Sequence, residues 1–289
     1  MAYTINCIGC GRLGKTLLRL IADSKIGLIY GIVNRTIESA NKAVAFINQG
    51  TAYENLRDLP LADVYLIGAN DSSIAMICQK LVKEDRLKPS SIVMHCSGFL
   101  SSDILVSAKK VGCLIASVHP VKSFANPEID ITTFKKTFCG FEGDDEAFAV
   151  IDKIFNTIGG VMFNLKKENK KRYHAAMVMA NNYLTTLHYH ATQNLIESGV
   201  ESAVSKQLVS MMMNDSLHNL ENLDHKNALT GPIQRGDKET IQGHVDALKS
   251  DKISADIYSF LGKGTLSLTD HKKEIKEEIE KILDGESKM

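Results

Sequence analysis

The sequence predicts an α/β protein: a doubly wound sheet over residues 1–165, followed by an all-helical region over residues 166–289. Three observations carry that expectation. The first is the stretch Ile5 to Leu18, where a short apolar run meets Gly9, Gly11 and Gly14 in the spacing G-x-G-x-x-G and passes at once into an amphipathic helix pattern. The second is the alternation of apolar runs with helical periodicity up to Leu165, the spacing of βαβ units and of a parallel sheet. The third is that this alternation stops at Tyr173, after which only helical patterns remain.

Taken in order, the first strand ends at the glycines. Gly9 permits the tight turn, Gly11 lets the backbone approach a diphosphate, and Gly14 brings helix close to strand. Arg12 and Leu13 sit among them, where the unpaired amides and positive dipole end of a helix favour an anion. Gly9, Gly11, Arg12, Leu13 and Gly14 are therefore the expected cradle of a dinucleotide. Strand two, Gly27 to Val33, ends in Asn34-Arg35-Thr36. An NAD site usually places an acid there for the ribose hydroxyls, and none is present. A guanidinium can instead fork onto a 2′-phosphate, so Asn34, Arg35 and Thr36 favour NADPH over NADH. A plain surface arginine after a strand is the alternative.

Ile37 to Gln49 has helical periodicity, and Val64 to Ala69 reads as a buried parallel strand. Asn70-Asp71-Ser72-Ser73 follows it. Ligands of open α/β sheets lie beyond the carboxyl ends of strands, so Asn70 and Asp71 are expected to border the nicotinamide half. Helix capping by Asp71 or Ser72 is the simpler reading, and both can hold. Ile92 to Cys96 leads into Ser97-Gly98, and Leu114 to Val118 leads into His119-Pro120. At such a strand end His119 can donate a hydrogen bond or proton to a carbonyl, or it can fix the loop through a backbone contact. Thr137 to Phe141 and Val161 to Leu165 bracket a helix, Asp145 to Thr157, and are the expected last strands.

Tyr173 to Ser198 reads as one long core helix. His174, Asn181, Asn182, His188 and His190 interrupt it and argue against a membrane span. At 3.6 residues per turn His174, Asn181, Thr185 and His188 fall near one stripe, with Lys171 close to His174. Such a stripe needs polar partners, from other helices or from a substrate and cofactor. Ser202 to Leu223 is a second helix whose Met211-Met212-Met213 suits a core or interface. In the loop Leu229 to Asp237, Arg235 can clamp a carboxylate or pair with Asp237. Thr240 to Leu248, Asp256 to Leu261 and Asp270 to Leu283 are the remaining helices.

Thirty-four basic residues balance thirty-four acidic ones, so no global field points to nucleic acid or a membrane surface. The chain enters its first strand at Tyr3 without a basic and apolar leader, and a cytoplasmic protein is expected. Cys7 and Cys10 spell C-x-x-C but straddle a strand end and a glycine turn, with no second ligand pair at metal spacing. Reduced, structural cysteines and no metal site are expected.

Several segments together carry a family likeness. They are Gly9-Cys10-Gly11-Arg12-Leu13-Gly14, Asn34-Arg35-Thr36, Ser97-Gly98, His119-Pro120, Ser123-Phe124, Tyr173-His174-Ala175-Ala176, Asn182-Tyr183-Leu184, and Leu229 to Pro232 through Arg235-Gly236-Asp237 with His244. With these the chain resembles, over almost its whole length, proteins that join a Rossmann-like domain to the DUF2520 helical domain. They belong to the 6-phosphogluconate dehydrogenase-like superfamily, with ketopantoate reductase and pyrroline-5-carboxylate reductase as relatives. The resemblance implies a nicotinamide-dependent oxidoreductase whose helical domain takes substrate and helps form a homodimer. Ketopantoate reductases use a helical Lys and Asn near the carbonyl; here Lys171, His174, Asn181 and Asn182 occupy the analogous helix at a different spacing.

The leading expectation is NADPH-dependent reduction of a small 2-oxo acid, with ketopantoate to pantoate (a step of pantothenate biosynthesis) as the named candidate. In it His174 or Lys171 serves the developing alkoxide, with His119 as reserve acid. Asn182 and Ser97 orient, Ser97 also bordering the cofactor, Asn181 lines the substrate, and Arg235 holds its carboxylate. Two rivals remain: imine reduction of the pyrroline-5-carboxylate reductase type, and a non-catalytic NADP(H)-binding sensor.

Overall fold

The structure is a computed structural model that describes residues 2–286. The chain divides into two compact units, one ending at Ala180 and the other beginning at Asn181.

The first unit begins with β1 (Tyr3–Ile8), α1 (Arg12–Ser24), β2 (Gly27–Val33), α2 (Ile37–Ile47), β3 (Thr51–Tyr53), β4 (Val64–Ile67) and α3 (Asp71–Lys83). It continues through β5 (Ile92–His95), α4 (Val106–Lys109), β6 (Leu114–Pro120), α5 (Pro127–Thr133), β7 (Phe138–Gly143), α6 (Asp145–Thr157), β8 (Val161–Asn164) and α7 (Lys170–Val178). The eight strands form one sheet in the order β3-β2-β1-β4-β5-β6-β7-β8. β4 and β5 are buried along their whole length, because helices cover both faces of the sheet; this is why they read as unbroken apolar runs. On α1 the residues Leu17, Leu18 and Ile21 recur at helical spacing and enter a core with Ile5, Ile29 and Ile47. A second core, on the other face, gathers Ile8, Val33, Ile67, Ile74 and Leu81.

Three expectations need correction, and one strand is added. The sheet is not wholly parallel, since β7 runs antiparallel to β6 while β8 is parallel to β7. The short edge strand β3 went unread, its three residues being too few to set up an alternation. Neither Asp71 nor Ser72 caps α3: its N-cap is Asn70, without a side-chain bond, and the Asp71 carboxylate accepts from Ser97 Oγ instead. The expected single helix from Tyr173 to Ser198 is broken by a π-helical turn, Met179–Tyr183. That turn shifts the helical phase, so the projected stripe from His174 to His188 does not persist. The compact division falls after Ala180, so α7 is counted with the sheet.

The second unit holds α8 (Leu184–Glu197), α9 (Ser202–Asn222), α10 (His225–Ala228), α11 (Pro232–Arg235), α12 (Lys238–Leu248), α13 (Lys252–Leu266) and α14 (Lys273–Leu283). Its core is Ile233, Ile241, Leu266, Ile279, Ile282 and Leu283. His188 and His190 serve packing here, bonding Ser210 Oγ at 3.0 Å and Ser254 Oγ at 3.2 Å. No described helix is long and apolar enough to cross a membrane.

Candidate functional site

Two clusters of the first unit lie at the carboxyl ends of its strands, where open α/β sheets bind ligands. The first is a cleft of about 1010 Å³ at the point where the strand order reverses between β1 and β4. Gly9 (φ +81°) makes the turn, and a Cβ on it would lie 2.7 Å from the backbone nitrogen of Ala69. Gly14 packs against Cys10 and Cys7, where a Cβ would meet Cys10 Sγ at 3.3 Å. At Gly11 an added Cβ would meet nothing within 4 Å, so this stretch of backbone faces open space. Arg12 is exposed, Leu13 leans into the core, and no side chain caps α1. The helix thus offers its first amides to the cleft.

The three residues after β2 divide their work. Asn34 Oδ1 accepts from the backbone of Cys10 at 2.6 Å, and its amide donates to Ser39 Oγ, which ties β2 to the glycine loop. Thr36 caps α2 by accepting from Ser39 N. Arg35 lines the cleft, exposed, with no hydrogen bond or ion pair to any described residue. Arg57, which sequence reading did not single out, lines the same cleft, as does Asn70. An open backbone at Gly11, an uncapped helix and an unengaged guanidinium fit a dinucleotide with a 2′-phosphate.

The second cluster gathers β5, β6 and the start of α7. His119, at the end of β6, bonds through Nδ1 to the Tyr173 hydroxyl at 2.8 Å. With the phenol as donor, the ring proton is assigned to Nε2, on the side facing Gly98 and His174. A Cβ at Gly98 would lie 2.9 Å from His119 Nε2 and 2.7 Å from His174 Cδ2, so only glycine lets both imidazoles close over this turn. Burial, the nearby Lys170 cation and His174 hold His119 down to about 4, and it is neutral at pH 7. Burial raises Tyr173 to about 12, so the phenol keeps its proton. Phe99 flanks His174 edge-on with ring centroids 6.1 Å apart, and the Lys171 amine stands 5.7 Å from the Phe99 ring centroid.

Behind these side chains lies a polar framework that the sequence did not disclose. His95 is buried on β5, and its Nδ1 accepts from Ser97 N at 3.1 Å while Nε2 donates to Ser101 O at 3.2 Å. Desolvation and the Lys170 charge hold it down to about 4. Ser97 Oγ donates to Asp71 and accepts from the backbone of Phe99 and Leu100, so its hydroxyl is committed to the turn. Lys170 is 1% exposed and its Nζ donates to Ser97 O at 2.9 Å and to Ser117 Oγ. Its counter-charge Glu142 stands at 3.5 Å and accepts from the amide and hydroxyl of Ser102.

Of the residues expected at the reactive end, His119, His174, Lys171, Asp71 and Ser97 all belong to the first unit. Asn181, Asn182 and Arg235 belong to the second, where all three are exposed. Arg235 Nη2 lies 3.9 Å from Asp237, whose carboxylate caps α12. Cys7 and Cys10 are both buried, and among the described residues no group of three His, Cys, Asp or Glu side chains is arranged to hold a metal.

The fold and its clusters define a class: a Rossmann-like sheet domain joined to a helical domain. Residues 137–265 match the family described as a domain of unknown function, DUF2520. Among solved structures, one from Bacteroides fragilis described as a candidate NADP oxidoreductase superposes with a TM-score of 0.75 at 21% identity, over 92% of this chain and 98% of that one. A Thermotoga maritima protein gives 0.71 at 26% identity over 94% and 98% of the two chains. A reductive aminase from Aspergillus terreus, in complex with NADPH and ethyl levulinate, gives 0.68 at 12% identity over 99% and 100%. No curated protein sequence matches the chain.

Proposed function

We propose that the protein is an NADPH-dependent reductase of a small carbonyl compound, acting at the turn where His119 and His174 converge over Gly98. The observation that carries this reading is a neutral, oriented imidazole: His119 is fixed by Tyr173 through Nδ1 and turns Nε2 toward Gly98. Gly9, Gly11 and the first amides of α1 would hold the diphosphate, Gly14 letting the helix pack close to the strand, with Asn34 and Thr36 shaping the loop that presents Arg35 to the 2′-phosphate. Bound there, NADPH supplies the hydride.

The chain's own residues supply the rest. Reduction of a carbonyl leaves an alkoxide, which needs a hydrogen bond as charge develops and a proton afterwards. His119 Nε2–H donates the hydrogen bond as charge develops, and Tyr173 keeps the ring in the tautomer that can donate; the ring is neutral, so the proton that follows comes from water. His174 forms the second wall. Lys171, exposed above Phe99, puts a positive charge at the rim, which suits a carboxylate-bearing substrate such as a 2-oxo acid. Ketopantoate is the first compound to test. Lys171 thereby takes the anchoring part that the sequence suggested for Arg235, whose guanidinium faces Asp237. The homodimer belongs to the same reading, since Leu208, Met211, Met212, Leu217 and Leu220 stand exposed along α9.

Imine reduction is the second reading, favoured by the likeness to the reductive aminase. An iminium arrives already protonated and needs no acid during hydride transfer, so the two readings part at His119. The experiment follows NADPH oxidation with ketopantoate, other 2-oxo acids and cyclic imines, for wild type and His119→Ala. Carbonyl reduction is expected in the wild type, falling about 100- to 1,000-fold in the variant, within the usual worth of a hydrogen-bond donor to a developing oxyanion. Turnover of imines alone, indifferent to His119→Ala, overturns the carbonyl reading. NADPH binding without turnover of any compound leaves the sensor.

A further inference from the structure

The turn Ser97–Ser102, which carries Gly98 and Phe99 to the two imidazoles, is held from below at nearly every polar atom of its ends. His95 takes Ser97 N and Ser101 O, Lys170 takes Ser97 O, and Glu142 takes both the amide and the hydroxyl of Ser102. The last two residues are themselves a buried ion pair, with side chains 1% and 4% exposed. A buried pair of this kind gains little over an apolar pair of the same volume. Its hydrogen bonds, however, fix a geometry that an apolar pair could not. Lys170 stands on α7, Glu142 on β7, and the turn follows β5, so the pair joins three elements distant in sequence.

We infer that Lys170, together with Glu142, is a positioning residue for the proposed reduction: it sets the Ser97–Ser102 turn, and with it Gly98, against His119 without touching the substrate. This rests on the reductase reading of the same site. Lys171 and His174 share its helix, one and four residues on, so whatever seats Lys170 also sets the approach of His174 to the turn. The groups around His119 are Lys170, Tyr173 and His174 of α7 and Asp71 of α3, with Glu142 of β7 behind Lys170. A cation so placed also opposes protonation of the imidazole. Reacting groups misplaced by about 1 Å lose on the order of a hundredfold in rate, which sets the size of the expected effect.

The test uses Lys170→Met and the double variant Lys170→Met/Glu142→Gln, the second removing both buried charges so that no lone carboxylate is left to unfold the protein. Both are expected to turn over 10- to 100-fold more slowly while the NADPH dissociation constant stays within twofold. Amide exchange at Ser97 and Leu100 is expected to accelerate at least tenfold, and in Lys170→Met the NMR titration of His119 moves up. Folded variants with wild-type turnover, exchange and titration overturn the inference. So does a loss of NADPH binding in step with turnover, which marks general disruption. Should the wild type reduce no compound, the reductase reading fails on its own, and exchange and titration still decide whether Lys170 sets the turn.

Discussion

The glycine end and the histidine end of the site are built in opposite ways. At the glycine end the ligand-facing groups are backbone and come from one short stretch, Gly9 to Gly14, adjusted by Asn34 from the next strand. At the histidine end they are side chains from four places, His119 on β6, Tyr173 and His174 on α7, and the turn after β5. A backbone cradle needs only local conformation and holds a feature common to many ligands. An oriented imidazole needs its ring nitrogens partnered and its surroundings dry, and that takes long-range contacts and buried polar groups. General binding chemistry thus sits on local sequence, and particular chemistry sits on tertiary structure.

Acid separates the two ends most strongly. His95 and His119 are both held down to about 4 in the folded protein, against 6.5 for a free imidazole. The folded pKa lies below the unfolded one, so the unfolded chain binds more protons and stability rises with pH across this window. The contribution is complete above pH 6.5 and is lost progressively as pH falls toward 4. Its size over the whole window is at most about 3.4 kcal/mol for each imidazole. Urea unfolding at pH 7 and pH 5 measures it, and His95→Ala together with His119→Ala is expected to flatten the difference. An equal pH dependence in the double variant would mean that these two rings do not carry it.

The same contrast decides what could be read from sequence. The glycine motif, the Asn34-Arg35-Thr36 turn and the strand ends at Ser97 and His119 were legible, because each depends on neighbours close in the chain. Lys170 was not. It stands in the run Lys166-Lys167-Glu168-Asn169-Lys170-Lys171-Arg172, which reads as a solvated face, and one place along the helix separates the buried lysine from the exposed one. The clue lay elsewhere, in Glu142: a carboxylate in the apolar strand Phe138–Gly143 needs a buried counter-charge. His95 was hidden in the same way, as a polar residue ending the apolar run Ile92 to Met94. The π-turn Met179–Tyr183 defeated the stripe from His174 to His188, since a helical projection assumes an unbroken period.

At the glycine end the discriminating residue is Arg35, the one side chain of its turn with no partner among the described residues. A charge-assisted bond to a phosphate contributes about 1.5–3 kcal/mol, so Arg35→Ala is expected to weaken NADPH binding about 10- to 100-fold. NADH, lacking the phosphate, is expected to bind both proteins alike. Titration calorimetry of the two dinucleotides checks this. Equal losses for both would assign Arg35 to the adenine or to the loop itself, and would move the phosphate contact to Arg57.

The smallest effect belongs to Ser97, although it stands at the centre of the histidine end. Its hydroxyl donates to Asp71 at 2.9 Å and accepts from Phe99 N at 3.1 Å and Leu100 N at 2.9 Å. Ser97→Ala removes all three bonds. Water reaches the exposed Phe99 amide and the exposed Asp71 carboxylate, however, so two of the three partners recover a substitute. The backbone bonds from His95 to Ser97 N and from Lys170 to Ser97 O do not involve the hydroxyl and persist. The net cost is therefore about 1 kcal/mol of stability, the worth of one hydrogen bond, with turnover reduced only a few-fold. Thermal unfolding and steady-state kinetics on the single variant measure both. A loss as large as that expected for Lys170→Met would mean that the hydroxyl, and not the buried amine, sets the turn against His119.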